Sequence, residues 1–130
     1  MIMKNSHDSI IIARRAYFLY DNVRYINQHL GAGQCTELIV EFDLADGYDG
    51  PMPVVTARQT DIDTGTHWEE NCEMQPDGNG GVIAIIGLWQ PDDKPGSGEV
   101  VTMTCEGKEV ARIKFNSSAV SIRGEINFAK

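Results

Sequence analysis

The chain has 130 residues, 42% of them apolar and 23% charged, and carries a formal net charge of −8 at pH 7. A domain of this length buries about two thirds of its unfolded surface, so a core needs no disulfide or metal staple, and the composition lies far from that of disordered chains. Residues 31–100 hold two basic and fourteen acidic side chains, residues 1–30 four basic and two acidic, and residues 101–130 five and three; the acidic middle repels phosphate backbones and excludes nucleic acid as its partner.

The longest apolar runs, 10–13 and 82–88, fall short of the roughly 18 residues that cross a bilayer, so no membrane partner is expected. The first residues lack a basic leader followed by a long apolar stretch. The expected location is therefore the cytoplasm of the producing cell or a virion. Cys35, Cys72 and Cys105 form no CxxC pair, and their odd number points to packing thiols rather than a disulfide framework.

Residues 1–35 read as an N-terminal arm or a first pair of strands. Ala13, Ala16, Tyr20, Val23 and Leu30 fall near helical spacing, which makes a helix over 13–30 one alternative. The run is nevertheless rich in β-branched and aromatic residues, and Asp21-Asn22 sits where a two-residue hairpin turn would lie. The strand reading is preferred.

From residue 36 the dominant period is two. In TELIVEFDL, Leu38, Val40, Phe42 and Leu44 alternate with Glu37, Glu41 and Asp43, the pattern of a strand with one wet face. ADGYDGPMP is a loop, because glycine, aspartate and proline supply turn conformations that a regular element cannot hold. PVVTARQT reads as a strand, DIDTG as a turn, and HWEENCEMQ as one strand with Trp68, Cys72 and Met74 on its inner side; Glu70 breaks that pattern. PDGNGG is a turn. VIAIIGLWQ is apolar on both faces and reads as a central strand covered on both sides. In EVVTMTCEGKEVARIKF, Val101, Met103 and Cys105 face Ala111, Ile113 and Phe115 across a turn at 106–108, and AVSIRGEINF closes the chain as a strand in which Gly124 marks a bulge. Six or seven strands joined by Gly/Pro/Asp turns predict an all-β fold, an antiparallel β-sandwich of immunoglobulin-like or jelly-roll type over 36–130, within a single domain.

Motifs for chemistry are weak. Asp61-x-Asp63-x-Gly65 follows the opening of a calcium loop, but Gly65 replaces the third oxygen ligand, Thr66 stands where glycine should turn, and Cys72 occupies the place of the bidentate glutamate. Asp43, Asp46 and Asp49 match no standard calcium spacing. His67 and Cys72 are five apart and would point to opposite faces of a strand, and zinc needs three or four convergent ligands. No nucleophile elbow occurs, and the glycines at 78–81 precede a strand rather than a helix. Neither a cofactor nor a metal is expected, and no catalytic residue is assigned. Arg14, Arg15, Tyr17, Tyr20 and Tyr25 concentrate basic and aromatic character near the N-terminus and are the candidate interface. Tyr48, Trp68 and Trp89 are candidate glycan contacts, since aromatic rings offer a large rigid area.

The runs TELIVEFDLADGYDGPMPVVTARQTD, GGVIAIIGLWQ and GEVVTMTCEGKEVARIKF resemble the small immunoglobulin-like β-sandwich domains of tailed-phage virion proteins, such as head-fibre, baseplate and tail-fibre attachment modules. The resemblance covers roughly residues 36–115, rests on strand order and turn style, and carries no catalytic motif. It implies a non-enzymatic structural or attachment module that multimerises with copies of itself and with other virion proteins. The alternatives are a carbohydrate-binding module that meets a host-surface glycan through the exposed aromatics, and a small acidic inhibitor or decoy.

Overall fold

The computed structural model describes residues 10–20, 23–25, 36–88, 98–116 and 124–127. These form ten strands: β1 (Ile11–Tyr20), β2 (Val23–Tyr25), β3 (Thr36–Leu44), β4 (Thr56–Asp61), β5 (His67–Asn71), β6 (Glu73–Pro76), β7 (Gly81–Gly87), β8 (Gly98–Cys105), β9 (Lys108–Asn116) and β10 (Gly124–Asn127). Two antiparallel five-stranded sheets result, ordered β2-β1-β3-β7-β6 and β10-β9-β8-β4-β5. Alternating apolar residues from both inner faces build one core, which includes Leu38, Val40, Phe42, Val82, Ala84 and Ile86 from the first sheet and Ala57, Val101, Met103, Ala111, Ile113 and Phe115 from the second. Phe18 and Phe115 meet across it edge to face, with ring centroids 5.4 Å apart.

The strand order decides between the two expected sandwiches. Taking β1, β3, β7 and β6 as A, B, E and D, and β9, β8, β4 and β5 as G, F, C and C′, reproduces the immunoglobulin connectivity rather than that of a jelly roll. β2 and β10 extend one side of the two sheets.

At the N-terminus, β1 is an integral strand of the first sheet. It pairs with β3 from Ile11↔Leu44 to Tyr20↔Thr36, so the helical alternative fails over the described part of 13–30. Tyr20 pairs with Val23, which leaves Asp21 and Asn22 as the two connecting residues; their conformation lies outside the described residues. A register shift between Ala13 and Arg15 inserts Arg14 as a bulge. Without that extra residue, Ile11 and Ala13 before it and Ala16 and Phe18 after it could not all turn to the same face.

HWEENCEMQ is not one strand. β5 pairs with β4 in the second sheet, β6 pairs with β7 in the first, and the single residue Cys72 carries the chain across. Cys72 is buried, and its N–H donates to Val55 O at 2.8 Å. The inward side is as expected: Trp68 and Met74 pack against the core from these edge strands. Glu70 is exposed on β5, which has no neighbour beyond it among the described residues, and Arg58 reaches Glu69 instead, at 3.7 Å. The β8–β9 turn is a two-residue one, Glu106 at φ 53° and Gly107 at φ 78°, with Cys105 paired to Lys108. Positive φ at both central residues is the type I′ geometry that matches strand twist. β4 begins at Thr56, and residues 45–55 form a longer loop than the sequence suggests, anchored by buried Pro53 and Val55. From Gly124, paired with Phe115, to Asn127 the register on β9 is regular, and the residues before Gly124 lie outside the described ones; a register shift falls between Met103 and Thr104, where Val110 enters the core as the extra residue.

Candidate interaction surfaces

The first surface is the outer face of the sheet containing β1. Because the bulge places both Arg14 and Arg15 opposite Glu41, one carboxylate receives two guanidinium groups. Arg15 Nη2 donates to Glu41 Oε2 at 2.8 Å, and Arg14 Nη1 lies 3.2 Å from Oε1. Arg14 also reaches Asp43 and Asp77, each at 3.1 Å. Glu41 is only 7% exposed, so the outward face of β3 is not the wet face expected of it. The Arg15 hydrogen bond holds its carboxyl below the usual carboxylate range against the opposing effect of burial. Arg15 lies over the Tyr17 ring at 5.5 Å, a cation–π contact. Beside this network, Tyr17, Ile39, Ile85 and Glu73 are register partners in one row across four strands. Ile39 is buried on this outer face, and Ile83 and Ile85 are half-buried, so β7 is not covered on both sides.

Of the expected interface residues, Arg14, Arg15 and Tyr17 therefore share a face. Tyr20 and Tyr25 lie in β1 and β2, but their side chains fall outside the described residues, as does Trp89 altogether. Trp68 packs on the edge of the core, remote in the fold from Tyr48.

The second surface is the end of the sandwich where the β3–β4 loop (45–55), the β6–β7 turn (77–80) and the β8–β9 turn meet. The loop is held by its own contacts: Tyr48 N donates to Ala45 O at 3.0 Å, Gly47 takes φ 78°, and the Tyr48 hydroxyl donates to Pro51 O. A Cβ on Gly50 would stand 2.7 Å from the Tyr48 oxygen, so a larger residue there would displace the phenol that packs down on it. The result is a ridge, Pro51-Met52-Pro53-Val54, with Met52 41% and Val54 64% exposed. A cleft of about 370 Å³ separates it from the β8–β9 turn, between Ile10, Val54, Thr104 and Glu106. Another of about 310 Å³ separates it from the β6–β7 turn, between Leu44, Pro76, Gly80 and Val82. Tyr48 and Met52 line both. The turn itself is fixed by Asp77, whose Oδ1 accepts from Asn79 N at 2.7 Å and Gly81 N at 2.9 Å; these two N–H groups lower its pKa.

Elsewhere the acidic residues serve structure. Asp61 Oδ1 accepts from Asp63 N at 2.9 Å and Thr64 N at 3.2 Å, so the DIDTG segment is an Asx-type turn. Glu99 is fully buried and accepts a hydrogen bond from buried Gln59 at 2.9 Å. Burial pushes the Cys72 thiol up to about 12 and raises that of Cys105, so neither is a thiolate near neutral pH. Among the described residues no group of three or more His, Cys, Asp and Glu side chains is placed to hold a metal ion, and no helix is long and apolar enough to cross a membrane.

Sequence reasoning missed the ridge and the burial of Glu41. The signal for the first was present: PMPV is an apolar run inside a loop otherwise built of Gly and Asp. A comparison with protein-family models, curated proteins and solved structures finds no match to this chain.

Proposed function

We propose that this chain is a non-enzymatic contact module that multimerises through the outer face of its first sheet, within a phage virion assembly. The observation that carries the self-association reading is the charge layout of that face. Arg14 and Arg15 lie on its β1 flank, exposed Glu73 on its β6 flank, and Ile39, Ile83 and Ile85 between them. A two-fold axis running along the strands between β3 and β7 would bring β1 of one copy over β6 of the other. The flanks that carry the arginines then meet those that carry Glu73, and the isoleucine rows face each other, which is the self-complementarity an isologous interface requires. The virion setting is supported by the likeness in strand pattern and turn style to tailed-phage sandwich domains.

Size-exclusion chromatography with light scattering over a hundredfold range of concentration tests the reading. A dimer or higher oligomer is expected, and Ile85→Lys is expected to convert it to monomer while leaving the far-UV spectrum unchanged. A wild-type monomer at every concentration would refute the self-association reading.

A further inference from the structure

The loop end offers a surface distinct from the sheet face, and an inference about it goes beyond self-association. Two of the four large apolar side chains exposed among the described residues, Met52 and Val54, stand on one short ridge. The two clefts beside that ridge are lined mostly by apolar, proline and glycine residues and by Tyr48, with Thr56, Thr104 and Glu106 on the side of the β8–β9 turn. Exposed apolar side chains gathered on a rigid loop mark a contact site more often than scattered ones do. Rigidity matters too, because a loop already held by its own hydrogen bonds loses little entropy when a partner seats.

The charges select the partner. Among the described residues Glu106 is the one charged residue lining either cleft, and no lysine or arginine lines them. Asp46 and Asp49, both exposed, flank Tyr48 in the same loop. Asp77 and Asp43, beside the β6–β7 turn, are committed to Arg14, and Asp77 also to the backbone of its own turn. The site therefore presents apolar walls with an acidic rim. A sugar would need an open aromatic face on which to stack. Here the Tyr48 hydroxyl is spent on Pro51 O, and the ring packs on Gly50.

We infer that the loop end binds an extended cationic peptide segment, seating an aliphatic or aromatic side chain in each cleft across the Met52 ridge, with lysine or arginine against Asp46, Asp49 and Glu106. Complementary charge governs association rate and selectivity, and the clefts supply the anchoring area.

The test titrates the isotope-labelled protein with a five-residue peptide alternating lysine with leucine and phenylalanine, and with its glutamate counterpart. Amide shifts are expected for the lysine peptide at 48–54, 78–82 and 104–107. Binding should weaken at least tenfold in the Met52→Lys/Val54→Lys double variant and about threefold in Asp46→Asn/Asp49→Asn. Both pairs of substitutions are at exposed positions, so the dispersed wild-type spectrum should persist. Binding should also survive Ile85→Lys, which separates this inference from self-association through the sheet. Absent shifts, shifts spread over other faces, or equal binding of the glutamate peptide would overturn the inference. So would a maltohexaose titration that perturbs these residues when the lysine peptide does not; that result would assign the surface to glycan.

Discussion

Replacing Glu41 by glutamine removes one charge from the centre of the arginine network and leaves its shape nearly intact. The wild-type carboxylate accepts a 2.8 Å hydrogen bond from Arg15 and lies 3.2 Å from Arg14. A hydrogen bond to a charged group contributes about 1.5–3 kcal/mol, and the exposure of Arg15 to screening solvent sets this one at the lower end of that range or below it. The second contact adds at most about 1 kcal/mol, because Arg14 is well exposed and screened by solvent. Glutamine keeps an acceptor for one guanidinium but turns its amide donors toward the other. The two arginines can recover hydration, so the net loss should be about 2 kcal/mol, read as a lower urea midpoint with unchanged slope at pH 7. The pH dependence gives an independent check. A carboxyl whose folded pKa is lowered, as that of Glu41 is, stabilises fully above its unfolded value. That contribution is lost as pH falls through the folded value. The difference between wild type and Glu41→Gln should hold from pH 7 to 5 and shrink below about pH 4.3. Asp77 also has a lowered pKa, but it is present in both proteins and cancels. A difference under about 0.5 kcal/mol at pH 7, or one that persists undiminished at pH 3, would refute the network as a stabilising device.

Other positions offer sharper structural tests. Gly81→Ala should cost at least about 2 kcal/mol by chemical denaturation, since its Cβ would stand 2.5 Å from Phe42 O and 2.7 Å from Asp77 Oδ2, a clash with backbone that cannot swing away. In the type I′ turn, Glu106→Asn should raise stability by several tenths of a kcal/mol, and Gly107→Ala should lower it by about 1 kcal/mol although a Cβ there meets nothing within 4 Å; a lowered thermal midpoint for Glu106→Asn together with an unchanged one for Gly107→Ala would contradict the assigned turn. Phe42→Ala, at a fully buried position between two strands, should cost about 3–5 kcal/mol in urea. Cys72, held protonated by burial, should react with a disulfide reagent at pH 8 only at the rate of unfolding or local opening, and prompt stoichiometric labelling would show that the sheet crossing is open.

What the sequence reveals here is set by period. β3 and the β8–β9 hairpin alternate cleanly, and their inward residues are those the alternation names. The division of HWEENCEMQ between sheets left no trace, because side-chain period reports which face a residue takes and not which strand it pairs with. Trp68 and Met74 both face the core, whichever sheet they belong to. Glu41 was misread because outward alternation equates a charged residue with solvent, whereas the Arg14 bulge, a backbone event without a glycine to mark it, brought two cations over it. Glu99 was legible in principle. It is in phase with Val101, Met103 and Cys105, so an inward acid was implied by the same pattern that placed them. The ridge at the loop end escaped because prolines were read as punctuation, and only tertiary structure shows Met52 and Val54 standing clear beside two clefts.

The passage of the chain through Cys72 also decides where this sandwich tolerates changes of length. At Cys72 there is no slack: the register of β5 on β4 and that of β6 on β7 are separated by one position. A single insertion or deletion there would turn either Trp68 or Met74 away from the core, together with every other side chain of its strand. The edge strand thus behaves as a ruler shared by both sheets, and a change of length along it acts on both at once.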